Sequence, residues 1–297
     1  MKKTAFIAIL GRPNVGKSTL MNALLGEKVV IVSSKPQTTR NRIMGVLTKG
    51  ENQFVFLDTP GIHQPRTKLG NYMMKRVRSS MGSADAVILI ADVGHAPGTT
   101  EKNVIAQVRE AELPAMLVLN KIDLYNREQI AETIAQYAAL YDFDAVVPIS
   151  ALKEKNIDAV LSEAEKFLYE SDWMFAEDML TDQPERQIAA EFIREKLLRA
   201  LSEEIPHGTA VVIEEFTETD KLISIRAEIF CERPSHKGII VGKGGQTLKL
   251  IGSRAREDLE AFFGTKVYLN LWVKVKENWR DNDFNLNNFG YNPKNLD

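Results

Sequence analysis

The sequence predicts an α/β domain built on a mostly parallel sheet, followed by a smaller α+β domain. Three observations carry this. Apolar runs, "AFIAIL", "QFVFLDTP", "AVILIADV", "AMLVLNKID" and "AVVPIS", alternate with amphipathic stretches such as "TEKNVIAQVREAEL" and "NIDAVLSEAEKFL", as strands buried beneath helices on both faces do. After an acidic stretch ending at Pro184 the alternation gives way to a different order of elements. Finally, 297 residues exceed the usual span of one domain.

Taken in order, "AFIAIL" is a first strand and "LMNALLG" belongs to the helix after it. "RIMGVLTKG" and "NQFVFLDTP" are separated only by "EN", so they form a hairpin that gives the sheet one antiparallel edge strand and six strands in all. "ESDWMFAEDMLTDQP" is a connector. Beyond it, "PERQIAAEFIREKLLRALSEEI" is an amphipathic helix and "TAVVIEEFTETDKLISIRAEIFCE" a hairpin. "GIIVGKGG" is a short helix entering a glycine turn, "QTLKLIGSRAREDLEAFFG" a long helix stopped by Gly264, and "KVYLNLWVKVKE" a last strand. The expected division is residues 1–170, a linker over 171–184, a second domain over 185–280, and a polar tail over 281–297 that is Asn-rich and expected to pack poorly.

A composition of 44% hydrophobic and 26% charged residues supplies real cores, and a net charge of −2 excludes a uniformly basic nucleic-acid coat. Charge is uneven, however. Residues 233–280 hold ten Lys or Arg against four Asp or Glu, a basic module in an otherwise acidic chain. The one cysteine, Cys231, excludes an intrachain disulfide and suits a reducing compartment; it ends an apolar run and reads as a packing residue. The N-terminal apolar run leads into a glycine loop and not a cleavage site, and no window approaches the roughly 18 apolar residues of a membrane span. The expected location is the cytoplasm.

"GRPNVGKST", residues 11–19, fits G-x4-G-K-[ST] between a strand and a helix. Gly11 and Gly16 let the loop of Arg12, Pro13, Asn14 and Val15 curl so that its N–H groups face phosphate oxygens, with the helix N-terminus behind them. Lys17 reaches the β- and γ-phosphates, the Ser18 hydroxyl can ligate Mg²⁺, and Thr19 follows in the first turn. "NKID" ends a parallel strand, on the side of the sheet where ligands bind. Asp123 can accept two hydrogen bonds from the guanine edge, which adenine cannot donate. Asn120 braces the loop and reads the base, Lys121 covers its face, and in "SAL" (Ser150, Ala151, Leu152) the Ala151 N–H can donate to guanine O6. "DTPG" (Asp58, Thr59, Pro60, Gly61) places Asp58 to hold Mg²⁺ through water and the Gly61 N–H to sense the γ-phosphate. In "SSKPQTTRNRI" either Thr38 or Thr39 closes over Mg²⁺, giving two switch segments.

These motifs, over roughly residues 4–168, resemble the P-loop GTPase superfamily. The resemblance implies GTP and GDP as ligands, Mg²⁺ as cofactor, and catalytic parts for Lys17, Thr38, Thr39 and Gly61. Where many members carry a glutamine that orients the attacking water, this chain has Ile62. Members with an asparagine at the Asn14 position are thought to hold a monovalent cation, which makes K⁺ a second ion candidate. His63 is either a surface residue of the second switch or a general base.

In the second domain, residues 242–245 form a G-x-x-G turn (Gly242, Lys243, Gly244, Gly245) between two helices. A corner without side chains lets a nucleic-acid backbone approach. Together with the α-β-β-α-α-β order, the turn resembles the type II KH domain, whose loop clamps about four nucleotides. The residues expected to meet RNA are Arg233, Lys237, Gly238, Ile240, Lys249, Arg254 and the turn itself. A GTPase followed by a KH module, with "GRPNVGKSTLMNALLG", "PQTTR", "FLDTPGIH", "LNKIDL" and "IIVGKGG", resembles the bacterial Era family over nearly the whole chain. Asn41 stands where that family often has histidine. The resemblance implies assembly of the 30S subunit, binding of the 3′ end of its 16S rRNA, a monomer, and loose contact with the inner membrane surface. The competing readings are a metabolic P-loop NTPase or kinase, and an RNA-binding module with a relic nucleotide site.

Overall fold

The computed structural model describes residues 1–62 and 65–291; His63 and residues 292–297 lie outside the described residues. The first sheet is built from β1 (Lys3–Leu10), β2 (Ile43–Lys49), β3 (Asn52–Asp58), β4 (Ala86–Asp92), β5 (Ala115–Asn120) and β6 (Ala145–Pro148), in the order β2-β3-β1-β4-β5-β6. β2 runs antiparallel to β3 and the other neighbours are parallel. A two-residue β7 (Tyr169–Glu170) pairs antiparallel with Lys3 and Thr4 of β1, a seventh strand too short to show a sequence period.

Strand alternation builds two apolar layers on this sheet. Ile7, Ile9, Ile88, Ile90 and Val118 face α1 (Lys17–Leu25) and α5 (Ile157–Ala164). Ala8, Leu10, Leu89, Leu117 and Leu119 face α2 (Lys68–Gly82), α3 (Thr99–Glu110) and α4 (Arg127–Ala138). Because the strands are buried on both sides, they read as continuous apolar runs. The C-terminal ends of β1, β3, β5 and β6 carry four of the five segments picked out as nucleotide motifs, which places those loops along one rim of the sheet.

The C-terminal unit has the expected order: α6 (Glu185–Ala200), β8 (Ala210–Thr219), β9 (Leu222–Cys231), α7 (Pro234–Val241), α8 (Gln246–Phe263) and β10 (Lys266–Val275). β9 pairs antiparallel with β8 and parallel with β10. Ile251, Ala255 and Leu259 of α8 recur at helical spacing and are buried. Gly264 ends that helix in the left-handed region, at φ 66°. Cys231 is buried, and burial raises its thiol pKa, so it is a packing residue as expected.

Two stretches differ from expectation. The acidic linker lies along the edge of the first sheet: Val46 N–H donates to Leu180 O at 2.9 Å, Thr181 Oγ1 to Met44 O at 2.6 Å, and the Gln53 side chain bonds residues 174 and 175. It thereby covers the open edge of β2. The tail, expected to pack poorly, is docked over its described part, residues 281–291. Its helix α9 (Asp283–Asn288) brings Leu286 and Tyr291, with Trp279 just before it, against Leu69, Tyr72 and Met73 of α2 and Ala210 of β8. These three apolar side chains among the asparagines suffice, because both receiving surfaces are themselves apolar.

Candidate nucleotide site and nucleic-acid groove

β1 ends in a loop whose backbone departs from ordinary geometry twice. Asn14 has φ 65° and Gly16 has φ 104°. A Cβ on Gly16 would lie 2.2 Å from Asn120 Nδ2, so glycine is required both for the backbone angle and for close approach. Asn120 Nδ2 donates to Val15 O at 2.8 Å, and its Oδ1 accepts from Ala151 N–H at 2.9 Å. The residue therefore ties the P-loop, the β5 loop and the β6 loop together. The bracing expected of Asn120 is thus in place, and the Ala151 N–H is held beside it at the rim of the cleft.

Lys17 is buried and donates to Gly11 O at 3.1 Å and Arg12 O at 2.8 Å. Burial pulls its pKa down to about 8, against the opposing pull of Asp58. Asp58 is also buried, and burial raises its pKa despite Lys17 and the hydroxyls of Ser18 and Thr39. Ser18 Oγ donates to Asp58 Oδ2 at 2.8 Å, Thr39 Oγ1 to the same oxygen at 3.1 Å, and the two hydroxyls are 3.0 Å apart. Among the described residues, Asp58 Oδ1 is buried with no hydrogen-bond partner. Three oxygen ligands thus meet beside an orphaned carboxylate oxygen, a donor set that suits a hard divalent cation. Anionic oxygens next to Lys17 and a cation next to Asp58 would favour the charged form of each, against the effect of burial. Thr38 turns away, donating to Lys35 O at 2.6 Å; of the two threonines, Thr39 is the one beside Ser18 and Asp58.

These groups line one cleft of about 400 Å³. Pro13, Asn14, Gly16, Lys17, Ser18, Thr19, Thr38, Thr39 and Gly61 border one part; Asn120, Lys121, Asp123, Ser150 and Leu152 border another. Asp123 is exposed at the mouth of the cleft. Gly61 approaches so closely that a Cβ there would lie 2.8 Å from Pro13. Other residues of the motifs serve the frame. Val15 is in the core, Thr59 Oγ1 donates to Ile9 O at 2.8 Å, and Pro60 is buried. Gly11 packs on Ile90, where a Cβ would meet a carbonyl oxygen at 2.4 Å. Arg12, expected at the nucleotide, turns from the cleft to pair with Glu101 and Asp92, and Lys121 Nζ reaches Asp92 Oδ2 at 3.2 Å. Ile62 packs on the second apolar layer, so it cannot orient water.

The segment between α1 and β2 is held by the C-terminal unit, which sequence reasoning missed. Lys28 pairs with Glu195 at 2.8 Å and Asp258 at 2.5 Å. Ile31 is fully buried among Ile188, Phe192 and Leu198. Val32 N–H donates to Glu195 Oε1 at 3.0 Å, Lys35 to Leu201 O, and Arg194 to Thr38 O. Arg40, next to Thr39, is only 1% exposed. Its guanidinium donates to Thr209 O at 2.7 Å, His207 O at 2.8 Å and Tyr291 Oη at 3.2 Å, and lies 5.7 Å from the Trp279 ring centroid. Asn41 Oδ1 accepts from Tyr72 Oη at 2.7 Å. Nothing local in "QTTRN" announces these partners, which lie far along the chain.

In the C-terminal unit α8 and the edge of β10 enclose a groove of about 430 Å³, bordered by Gly245, Leu248, Lys249, Gly252, Ser253, Arg256 and residues 268–271. The glycine turn stands at its end. Gly242 has φ 73°, and a Cβ there would meet Thr247 Oγ1 at 2.2 Å; Gly244, at φ 59°, faces open space. Lys243, Lys249, Lys237, Gly238 and Arg233 are exposed as expected. Two expectations are corrected. Ile240 is buried in the core, and its neighbour Ile239 is 51% exposed; a helix of eight residues gives its phase poorly. Arg254 borders a different depression with Lys196, Arg199 and Asp258, because it lies about 200° around α8 from Arg256, which borders the groove. Gly252, Ser253, Arg256 and Tyr268 were missed. The alternation in "KVYLNLWVKV" was the available signal for Tyr268.

Family models agree with this division of labour: a 50S ribosome-binding GTPase model matches residues 6–121 and a KH domain model residues 204–280. The chain is 49% identical over 290 residues to GTPase Era of Ruminiclostridium cellulolyticum, covering 97% of each chain. It is 50% identical over 292 residues to GTPase Era of Clostridium botulinum, covering 98% of this chain and 99% of that one. The crystal structure of Era in complex with MgGDPNP and nucleotides 1506–1542 of 16S ribosomal RNA superposes with a TM-score of 0.94 at 40% identity, covering 98% of this chain and 100% of that one. A point variant of Aquifex aeolicus Era bound to GDP and AlF4⁻ gives the same score and identity, covering 98% and 99%. With P-loop, NKID, DTPG and glycine-turn geometry all in place, and with close relatives along its whole length, the chain belongs to the Era family of GTPases.

Proposed function

We propose that the protein is a Mg²⁺-dependent GTPase that binds the 3′ end of 16S rRNA in its α8–β10 groove and serves small-subunit assembly. The observation that carries the reading is the meeting of Ser18, Thr39 and Asp58 at hydrogen-bond distance, with Asp58 Oδ1 orphaned, on a P-loop that shares a cleft with Asp123. The RNA part is supported by the glycine turn, the basic face around it, and the 16S rRNA fragment held by a relative that aligns along the chain.

Lys17 neutralises charge on the β- and γ-phosphates, and Ser18 and Thr39 supply hydroxyls while Asp58 supplies a carboxylate to the metal. Bound there, Mg²⁺ offsets the charge that develops on the phosphate oxygens. Gly61 borders the γ-phosphate end. Asp123 selects guanine, and Lys121, steered by Asp92, lies over its face. With Ile62 apolar, no side chain at that position places the water, and unassisted hydrolysis is slow. Asn14, exposed at the cleft with its left-handed backbone, is the candidate partner of K⁺.

Nucleotide competition and phosphate release test this. GTP binds at least about 100-fold more tightly than ATP, and chelation of divalent cations stops hydrolysis. ATP binding within tenfold of GTP contradicts the reading and favours a general NTPase. KCl accelerates hydrolysis over NaCl, and Asn14→Ala abolishes the difference. Equal rates in both salts, unchanged in the variant, remove K⁺ and leave the GTPase.

A further inference from the structure

β10 has a second face. Leu269, Leu271 and Val273 point into the core with α8, so Tyr268, Asn270, Trp272 and Lys274 project from the reverse of the sheet. Ion pairs across the strands mark that face: Arg226 with Glu215 at 2.8 Å, and Lys274 with Glu228. The docked tail covers one end of it, where Phe289 stacks on Phe230 at 4.5 Å. The other end is open, with Tyr268 59% and Trp272 58% exposed.

We propose that Tyr268 and Trp272 form a stacking surface for unpaired nucleobases, which continues the α8–β10 groove around the sheet edge onto its reverse face. The inference rests on the reading of that groove as an RNA site. Tyr268 links the two surfaces, since it borders the groove while its ring belongs to the reverse face. The two rings stand four residues apart on one strand, about 13 Å. That is too far to share a base, so each takes its own. Asn270 lies between them with an amide that can both donate to and accept from a base edge. β10 carries no acidic residue and has Lys266 and Lys274 at its ends, and the carboxylates beside it on this face, Glu228 and Glu215, are each paired with a cation. A single strand is favoured over a duplex or a protein partner, because two separated flat rings on an edge strand match splayed bases, whose faces stack irrespective of sequence. The cations of this face are already paired with carboxylates, so its affinity comes from stacking and depends little on salt. Lys243 and Lys249 at the groove are the opposite case.

The test uses the GTP-loaded full chain and two single-stranded RNAs from the small-subunit 3′ end. One has about four nucleotides, enough for the groove; the other is longer by about six nucleotides, enough to reach round the edge. Trp272→Ala binds the short RNA as wild type does and the long RNA at least about fivefold more weakly, with an unchanged salt slope. Trp272→Phe restores the long-RNA affinity. The long RNA quenches tryptophan fluorescence in wild type but not in Trp272→Phe. Wild-type affinity of Trp272→Ala for the long RNA, or equal loss on both RNAs, overturns the proposal. Gly244→Asp separates it from the groove reading: if that variant still binds the short RNA, the groove reading fails and not the stacking surface alone.

Discussion

At the scale of single residues, the proposed selectivity rests on Asp123 and the shape of the cleft on Asn120. Asp123 is exposed, so in the proposed function guanine is chosen by the two charge-assisted hydrogen bonds the carboxylate accepts when the base covers it, and not by relief of a charge already buried. Asp123→Asn therefore loses GTP and gains xanthosine triphosphate, whose carbonyl accepts where guanine donates; a reversal of preference by about two orders of magnitude or more is expected. Titration of both nucleotides against wild type and variant checks it, and unchanged GTP affinity contradicts the role of Asp123. Asn120 acts differently. Its two polar ends fasten loops from three places in the chain, which is why the Gly16 backbone has room for nothing but a hydrogen at Cα.

At the scale of elements, the segment joining α1 to β2 has its chemistry at Thr39 and its anchors in the C-terminal unit. Burial alone would raise the Glu195 pKa, yet hydrogen bonds from Lys196, Lys28 and Val32 hold it below its ordinary value, so the anchor is ionised in neutral solution. Arg40 is a buried anchor of the segment itself. Burial lowers its pKa, and among the described residues two carbonyl oxygens and one hydroxyl, rather than a carboxylate, accept its hydrogen bonds. Arg40→Met keeps the volume and strands those acceptors, at a cost of about 2–4 kcal/mol. Chemical denaturation measures that loss. Because Thr39 is adjacent, GTP affinity falls more than GDP affinity, and equal weakening of both contradicts the link between socket and switch.

At the scale of the whole molecule, what could be read in the sequence was what local pattern determines. Strand alternation gave the sheet and its edge hairpin, glycine and hydroxyl spacing gave the P-loop, and the 3.6-residue recurrence gave α8. What could not be read depends on which distant surface a residue meets. Arg12 and Arg40 sit in motif segments yet serve pairs at Glu101 and Thr209. Trp279, Leu286 and Tyr291 were hidden by asparagine-rich composition, although each is buried. Arg254 and Arg256 are both exposed and both basic, and only the packing of α8 against β10 separates them. The central claim, that one chain joins a guanine-nucleotide switch to a groove for single-stranded RNA, is tested most directly by competition on the GTP-bound full chain. A labelled single strand copying the 3′ end of small-subunit rRNA is displaced by the same unlabelled strand, and displaced at least about tenfold less well by that strand in a duplex; Gly244→Asp abolishes binding of the label while GTP affinity is unchanged. Equal displacement by strand and duplex, or wild-type RNA binding by Gly244→Asp, would contradict the account.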